Sequence, residues 1–283
     1  MPLLFGTAGI PASAGERTSE SGIRRIHELQ LGAMELEFVQ GVRMGEEKAR
    51  SVGQVAMAEG IALSCHGPYW INLNSRENSK ISASKERILH TARIAGILGA
   101  RSVIFHPAFY HDDDHKLVLK RVVREISEIR EILDAEGNQV VLRPETTGKG
   151  TQFGDLQELI TLAQLIPGVL PCIDFAHLHA RSNGLNNSYD EFCYILEETA
   201  ETLGERWSKN AHFHISGIEY GPKGEKRHLV LKESDLEYTA LLKALQTFAV
   251  EGIVICESPN LEEDALLLQD IFLALEPGKE VSP

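Results

Sequence analysis

The sequence predicts a single (β/α)8 barrel, and three observations predict it. Short runs rich in Val, Ile, Leu or Phe recur along the chain, as buried parallel strands do. Amphipathic helical patterns separate them. The 283 residues fit one such barrel, which typically takes about 250, with little left over.

In chain order the strands are predicted at Leu3–Gly6, Met34–Val39, Ile61–His66, Ser102–His106, Gln139–Glu145, Val169–Asp174, Ala211–Ile215 and Ile253–Glu257. Helical spacing of apolar residues marks Ser82–Leu98, which precedes Gly99, and Lys116–Leu133, with Val118, Val122, Val123, Ile126, Ile129 and Ile132 on its stripe. Asp155–Leu165, Tyr189–Leu203, Glu233–Phe248 and Leu261–Leu275 follow the same pattern. Eight strands alternating with eight helices imply a parallel sheet, and the count of eight favours closure. No interior linker, low-complexity segment or repeat beyond the βα rhythm divides the chain. The barrel is assigned to 1–275 and a C-terminal tail to 276–283.

Hydrophobic residues make up 43% of the chain, enough for a large core. The formal charge of −13 argues against an extensive basic footprint on nucleic acid, since phosphate binding is driven by Lys and Arg. Cys65, Cys172, Cys193 and Cys256 show no CxxC spacing, and three of them lie in predicted strands. They read as small buried hydrophobes in a reducing compartment. The N-terminus has no basic region, and no apolar stretch approaches the roughly 20 residues of a membrane helix. A cytoplasmic location is expected.

Six of the predicted strands end in a residue type that ligates metals. The segments are SCHGPYWINL with His66, FHPA with His106, RPETTGKG with Glu145, CIDFAH with Asp174 and His177, HFHIS with His214, and ICESP with Glu257; His228 follows in GEKRH. A barrel gathers such strand ends on one rim, where its active site lies. Mixed nitrogen and oxygen donors suit zinc or manganese. Glu145 stands where a carboxylate can bridge two cations. It could equally pair with Arg143, two residues earlier on the same strand face, which could also orient it. His212 and His214 share one face of their strand; His214, nearer the rim, is the chosen ligand, and His212 is left to packing or to orienting it. His179 and Arg181 fit a loop surface as well as a phosphate contact.

In order and approximate spacing, CHGPYWINL, FHP, ETTGKGTQFG, CIDFAHLHA, HFHIS and ESP resemble the signature segments of the endonuclease IV family of apurinic/apyrimidinic endonucleases, within the xylose-isomerase-like barrel superfamily. The resemblance spans His66 to Pro259. It implies a hydrolase holding three zinc ions and cutting DNA at abasic or damaged sites through a metal-bridging hydroxide. By motif position, His66, His106 and Glu145 would hold the first ion, and Glu145, Asp174, His214 and Glu257 the second. His177 and His228 would supply part of the third.

The chain departs from that pattern in three ways. Lys226 stands two residues before His228, where the family has an aspartate, and Glu225 is one residue off. A protonated ammonium cannot ligate zinc. Two tightly held ions and a weak or absent third are therefore expected, with Lys226 as a fixed cation beside a phosphate in the catalytic set. The loop EFVQGVRMGEE after the second strand carries one arginine, Arg43, among carboxylates, and the whole chain is acidic. Tyr69 and Trp70 can stack on bases or pack in the core. Arg43, Lys149 and Arg181 complete the expected substrate contacts.

Two other functions compete. A sugar isomerase or epimerase of the same superfamily would use one divalent ion on Glu145, Asp174, His214 and Glu257, with Glu37 near the sugar and His66 and His106 unneeded as ligands. A metal-binding protein without catalysis, as a regulatory or nucleic-acid-binding module, is the third.

Overall fold

Alternation of inward and outward side chains, wrapped by amphipathic helices, builds this molecule around one closed sheet. The computed structural model describes residues 3–275. The tail assigned to 276–283 lies outside the described residues. The barrel strands are β1 (Leu3–Ala8), β2 (Ala33–Glu37), β3 (Ala62–His66), β4 (Ser102–Phe105), β5 (Val141–Pro144), β6 (Ile173–Asp174), β7 (Ala211–Ile215) and β8 (Gly252–Cys256). They pair in parallel in the order β5-β4-β3-β2-β1-β8-β7-β6. Parallel bridges Leu142–Val169 and Glu145–Cys172 close the ring between β5 and β6.

Each predicted strand is present, shifted by one to a few residues at its ends. The stretch from Val169 reduces to β6 preceded by those two bridges. The expected helices form at Asn78–Leu98, His115–Ala135, Leu156–Leu165, Tyr189–Leu203, Tyr238–Thr247 and Glu262–Ala274. The stripe of His115–Ala135 ends on buried Leu133 rather than Ile132, which is 38% exposed. Spacings of four, four, three and four from Val118 through Val122, Ile126 and Ile129 follow the 3.6-residue period. The predicted start at Glu233 fails because Ser234 accepts from the Ile218 and Leu236 amides, holding 234–237 outside the helix. Asp155 with Glu158 and Ser188 with Glu191 form capping boxes that fix two helix starts.

Outside the barrel ring, Gly217–Gly221 pairs with Gly224–Leu229 as an antiparallel hairpin, and Ala108–Phe109 pairs with Gln152–Phe153. A short helix, Phe175–Arg181, follows β6 directly. The sequence reading missed all three. No helix of the described residues is long and apolar enough to cross a membrane.

The main core lies between the sheet and the helices. Inside the barrel, Ala33, Ala62, Ile253 and Ile255 cluster with Leu4 and Ala8. Arg143 also lies in the interior, at 1% exposure. Its guanidinium donates to Ser102 Oγ at 2.7 Å, Pro171 O at 3.0 Å and Asn210 O at 2.6 Å. These partners sit beside β4, β6 and the start of β7, so Arg143 ties the closing seam together. It does not pair with Glu145: its donors face the end of the barrel opposite the metal-ligand residues.

Arg143→Met should therefore destabilise the fold by about 3 kcal/mol or more, because buried carbonyls lose their donor. Urea unfolding checks this; a loss below about 1 kcal/mol would contradict the seam role.

Candidate metal centre

The strand ends deliver the ligand residues to one place because parallel strands all finish on the same rim. His66 ends β3, Asp174 ends β6, and His214 is the penultimate residue of β7. His106, Glu145 and Glu257 each stand one residue beyond β4, β5 and β8. Register sets Asp174 beside His214 on neighbouring strands.

Glu145 lies at the centre, fully buried. Its Oε2 is 3.2 Å from His66 Nε2 and 2.9 Å from His106 Nε2. Its Oε1 is 3.2 Å from His214 Nδ1 and 3.2 Å from His177 Nδ1. The two oxygens thus face two separate groups of imidazoles. Glu257 Oε1 is also 3.2 Å from His214 Nδ1. Asp174 takes the His177 amide on Oδ1 at 2.6 Å and leaves Oδ2 buried without a hydrogen-bond partner.

The imidazoles are oriented from behind. His66 Nδ1 bonds the Gly67 carbonyl at 2.8 Å, which turns the Nε2 lone pair to the site. His177 Nδ1 bonds Thr146 O at 2.9 Å, and His228 Nδ1 bonds Glu257 O at 3.2 Å. His214 is held at its other nitrogen by Glu35, whose Oε1 lies 3.0 Å from Nε2. Glu35 Oε2 accepts from Ser64 Oγ at 2.6 Å and lies 3.2 Å from His212 Nε2. A buried carboxylate behind a ligating histidine fixes its tautomer and ring angle. His212 lies on the same carboxylate, behind His214.

These residues fit divalent metal. His66, His106 and Glu145 form one group of converging donors; Glu145, Asp174, His214 and Glu257 form a second; Asp174, His177 and His228 form a third. A tetrahedral ion bound at 2.0–2.2 Å spaces its ligands by about 3.4 Å, which matches the donor separations above. Cys172, His212 and His214 form a fourth group of converging donors, and burial pushes the Cys172 thiol well above its ordinary value.

Electrostatics state the same need. Burial opposes the Glu145 charge, yet His106 and His214 outweigh it and hold its carboxyl well below the usual range. Burial likewise opposes charge on His66, but Glu145 lifts it to about 10. His177 is raised too, burial being outweighed by Asp174 and Glu145. Burial, with Glu257 and Glu145 nearby, raises Asp174 to about 6. The buried carboxylates thus favour positive charge on the imidazoles that face them.

A cavity of about 500 Å³ opens above the donors, lined by Glu37, Tyr69, Lys149, Glu225 and Pro259 among others. Glu37 Oε1 is buried without a hydrogen-bond partner, and burial, with Glu35 and Glu257 adding, raises Glu37 to about 8. Tyr69 and Trp70 are 56% and 53% exposed rather than in the core. Arg43 is exposed on the loop after β2.

Two sequence expectations fail. Lys226 does not line the pocket: its side chain is 56% exposed and its Nζ pairs with Glu219 at 3.2 Å. Arg181 donates to the carbonyls of Lys149 and Gln152 at 2.5 and 2.9 Å and to Thr147 Oγ1 at 3.0 Å, so it braces the 147–152 loop and is not free to contact a phosphate. Residues that the reading missed are Glu35 and Ser64. The signal was two acids at period two in the otherwise apolar run AMELE.

The profile of the xylose isomerase-like TIM barrel family matches residues 23–274. The uncharacterized protein MJ0133 of Methanocaldococcus jannaschii is 45% identical over 270 residues, covering 95% of this chain and 97% of that protein. The structure of a D-tagatose 3-epimerase-like protein superposes with a TM-score of 0.71 at 18% identity, covering 95% and 96% of the two chains. Endonuclease IV from Thermus thermophilus superposes with a TM-score of 0.69 at 17% identity, covering 95% and 98%. At these identities both structures speak for the fold.

Metal must displace the protons on His66, His177 and His214, so affinity should rise as pH is raised from 6. Zinc titration of the metal-free protein at pH 7, by calorimetry in buffers of different ionisation enthalpy, should show release of about three protons. A heat independent of the buffer would refute this protonation scheme.

Proposed function

The chain belongs to the xylose isomerase-like TIM barrel family, and from that premise we propose that it is a multinuclear metal-dependent phosphodiesterase, with DNA at abasic or damaged sites as the first substrate to test. The observation that carries this reading is the placement of Glu145, each oxygen of which faces imidazoles of a different group. A one-metal isomerase requires Glu145, Asp174, His214 and Glu257 alone. It does not need His66 and His106 as ligands and would leave them to bind substrate, although both point at the second oxygen of this buried carboxylate.

Zinc fits the donors, and manganese suits the carboxylate-rich group as well. His66, His106 and Glu145 would hold one ion, and Glu145, Asp174, His214 and Glu257 another. Bound divalent metal supplies Lewis acidity and lowers the pKa of water. The chain's own residues do the rest. Glu145 keeps the two groups at a fixed separation through one rigid carboxylate. Glu35 and Ser64 hold His214 in one orientation. Lys149 offers the cavity a cation for a phosphate oxygen. The exposed ring of Tyr69, which lines the cavity, gives a nucleobase or sugar a flat surface, and Trp70 beside it in sequence is exposed too.

A second reading, a sugar isomerase or epimerase, is favoured by one observation. Glu37 places a further carboxyl in the cavity, suited to a hydroxyl and unsuited to an anion. Both activities should be assayed with zinc and with manganese: cleavage of an abasic-site duplex over a salt series, beside a ketose–aldose panel. Strand cleavage is expected, with shallow salt dependence. With Lys149 and Arg43 as the two phosphate contacts, log K against log salt should fall with slope near about −1.8. Ketose interconversion without cleavage would overturn the hydrolase reading.

Glu145→Gln should lower turnover more than about 100-fold, beyond what loss of an orienting partner costs. A near wild-type rate would remove Glu145 from the mechanism.

A further inference from the structure

One layer below the rim, the barrel interior holds a further set of donors. Register places Asp174 beside His214 on neighbouring strands. Cys172 and His212, each two residues earlier, lie deeper on the same inward faces. Cys172, His212 and His214 converge closely enough to share one ion, and none is more than 1% exposed.

Polar atoms in this layer are unmatched. Nε2 of His212, Nε2 of His214 and Oε1 of Glu35 are all buried without a hydrogen-bond partner. Glu35 lies 3.0 Å from the His214 nitrogen and 3.2 Å from that of His212. It is near enough to share charge, yet neither contact has hydrogen-bond geometry. Folded proteins leave few such atoms unpaired, and three in one layer beside a thiol point to a bound ion.

The donors select which ion. One thiol and two imidazoles make a soft set, unlike the carboxylate-rich rim, and a thiolate in such a set favours copper(I) or zinc. Zinc in a closed site takes four ligands, whereas three donors converge here. Charge also favours the monovalent ion. Beneath the rim, the interior holds one cation, Arg143, and one carboxylate, Glu35, among the described residues. Copper(I) entering as the Cys172 thiol proton leaves preserves that balance. Zinc would add an uncompensated positive charge, which is costly in the interior.

We propose that Cys172, His212 and His214 form a three-coordinate copper(I) site inside the barrel, one layer below the rim. The thiol proton goes to solvent, and no electron is transferred. A neutral imidazole has one lone pair. Copper on His214 Nε2 leaves the ring proton on Nδ1, which lies 3.2 Å from both Glu145 Oε1 and Glu257 Oε1. Copper and an ion in the second rim group therefore compete for this ring. The site is otherwise independent of the reading of the rim as a hydrolase centre.

The test is anaerobic titration of the full-length, zinc-free protein with copper(I), in competition with a chromogenic copper(I) chelator. Melting curves confirm folding. Wild type should hold one copper per chain and show the ultraviolet absorption of a copper–thiolate bond. Cys172→Ala and His212→Leu should each lose both signals. Cys65→Ser, which alters another buried thiol, and Glu145→Gln, which alters the rim, should keep both. A wild type that yields all copper to the chelator would overturn the assignment, as would thiolate absorption that survives in Cys172→Ala. If Cys172→Ala does not fold, X-ray absorption at the copper edge of the wild type decides it. One sulfur and two nitrogens are expected, and a shell without sulfur overturns the site. Its failure would leave the two rim groups as they stand, since they contain no sulfur.

Discussion

The structure turns on a buried charge. Glu145 has no contact with solvent, and a carboxylate taken out of water costs several kcal/mol unless paired and fully bonded. Among the described residues its ion-pair partners are imidazoles, with no arginine or lysine. Its neighbours are four imidazoles, from His66, His106, His177 and His214, each from a different element. Imidazole compensates a carboxylate only when it carries a proton or shares a metal ion with it. The centre is thus built for cations, and the barrel's rim is the one place in a parallel sheet where so many strand ends meet.

That constraint reaches into the barrel. His214 faces Glu145 with Nδ1, so its Nε2 must find a partner in the interior, and Glu35 supplies one with Ser64 and His212 around it. Below that lie Arg143 and its carbonyl acceptors, then the small apolar cluster. The interior thus joins a polar network that orients ligands, an arginine that ties the β5–β6 seam, and an apolar cluster on β1, β2, β3 and β8. Outside the ring, Arg181 braces the 147–152 loop, and that loop in turn seats the hairpin carrying Glu225 and His228.

Much of this was legible in the sequence for a physical reason. Strands buried on both faces must be apolar throughout, so a His, Asp or Glu at the end of such a run stands out. His66, His106, Glu145, Asp174, His214 and Glu257 could be named that way, and the structure brings them together. What was not legible depends on local backbone geometry or on distant partners. A bulge in the 217–229 hairpin cannot be seen in GEKRH, and counting residues back from His228 lands on Lys226, which the structure pairs with Glu219. Arg181 reads as a free cation until the carbonyls that capture it are known. Arg143 and Glu145 share a strand face, but the chain cannot say that one bonds toward the bottom of the barrel and the other toward its mouth. Glu35 and Glu37 left a trace, two acids in an apolar strand, and they take different tasks.

The cavity holds features of both a phosphate site and a sugar site. Lys149 and the two groups of donors around Glu145 suit an anion; Glu37 suits a hydroxyl. The acidic surface leaves little to grip a long nucleic acid, which confines phosphate recognition to the pocket. The central claim, that Glu145 stands between two cation sites, is tested most directly by anomalous scattering at the zinc edge from crystals of the zinc-loaded protein. The account predicts separate peaks on either side of the Glu145 carboxylate, one among His66 and His106 and one among Asp174, His214 and Glu257. A single peak on the Asp174 side, with His66 and His106 free of metal, would contradict it.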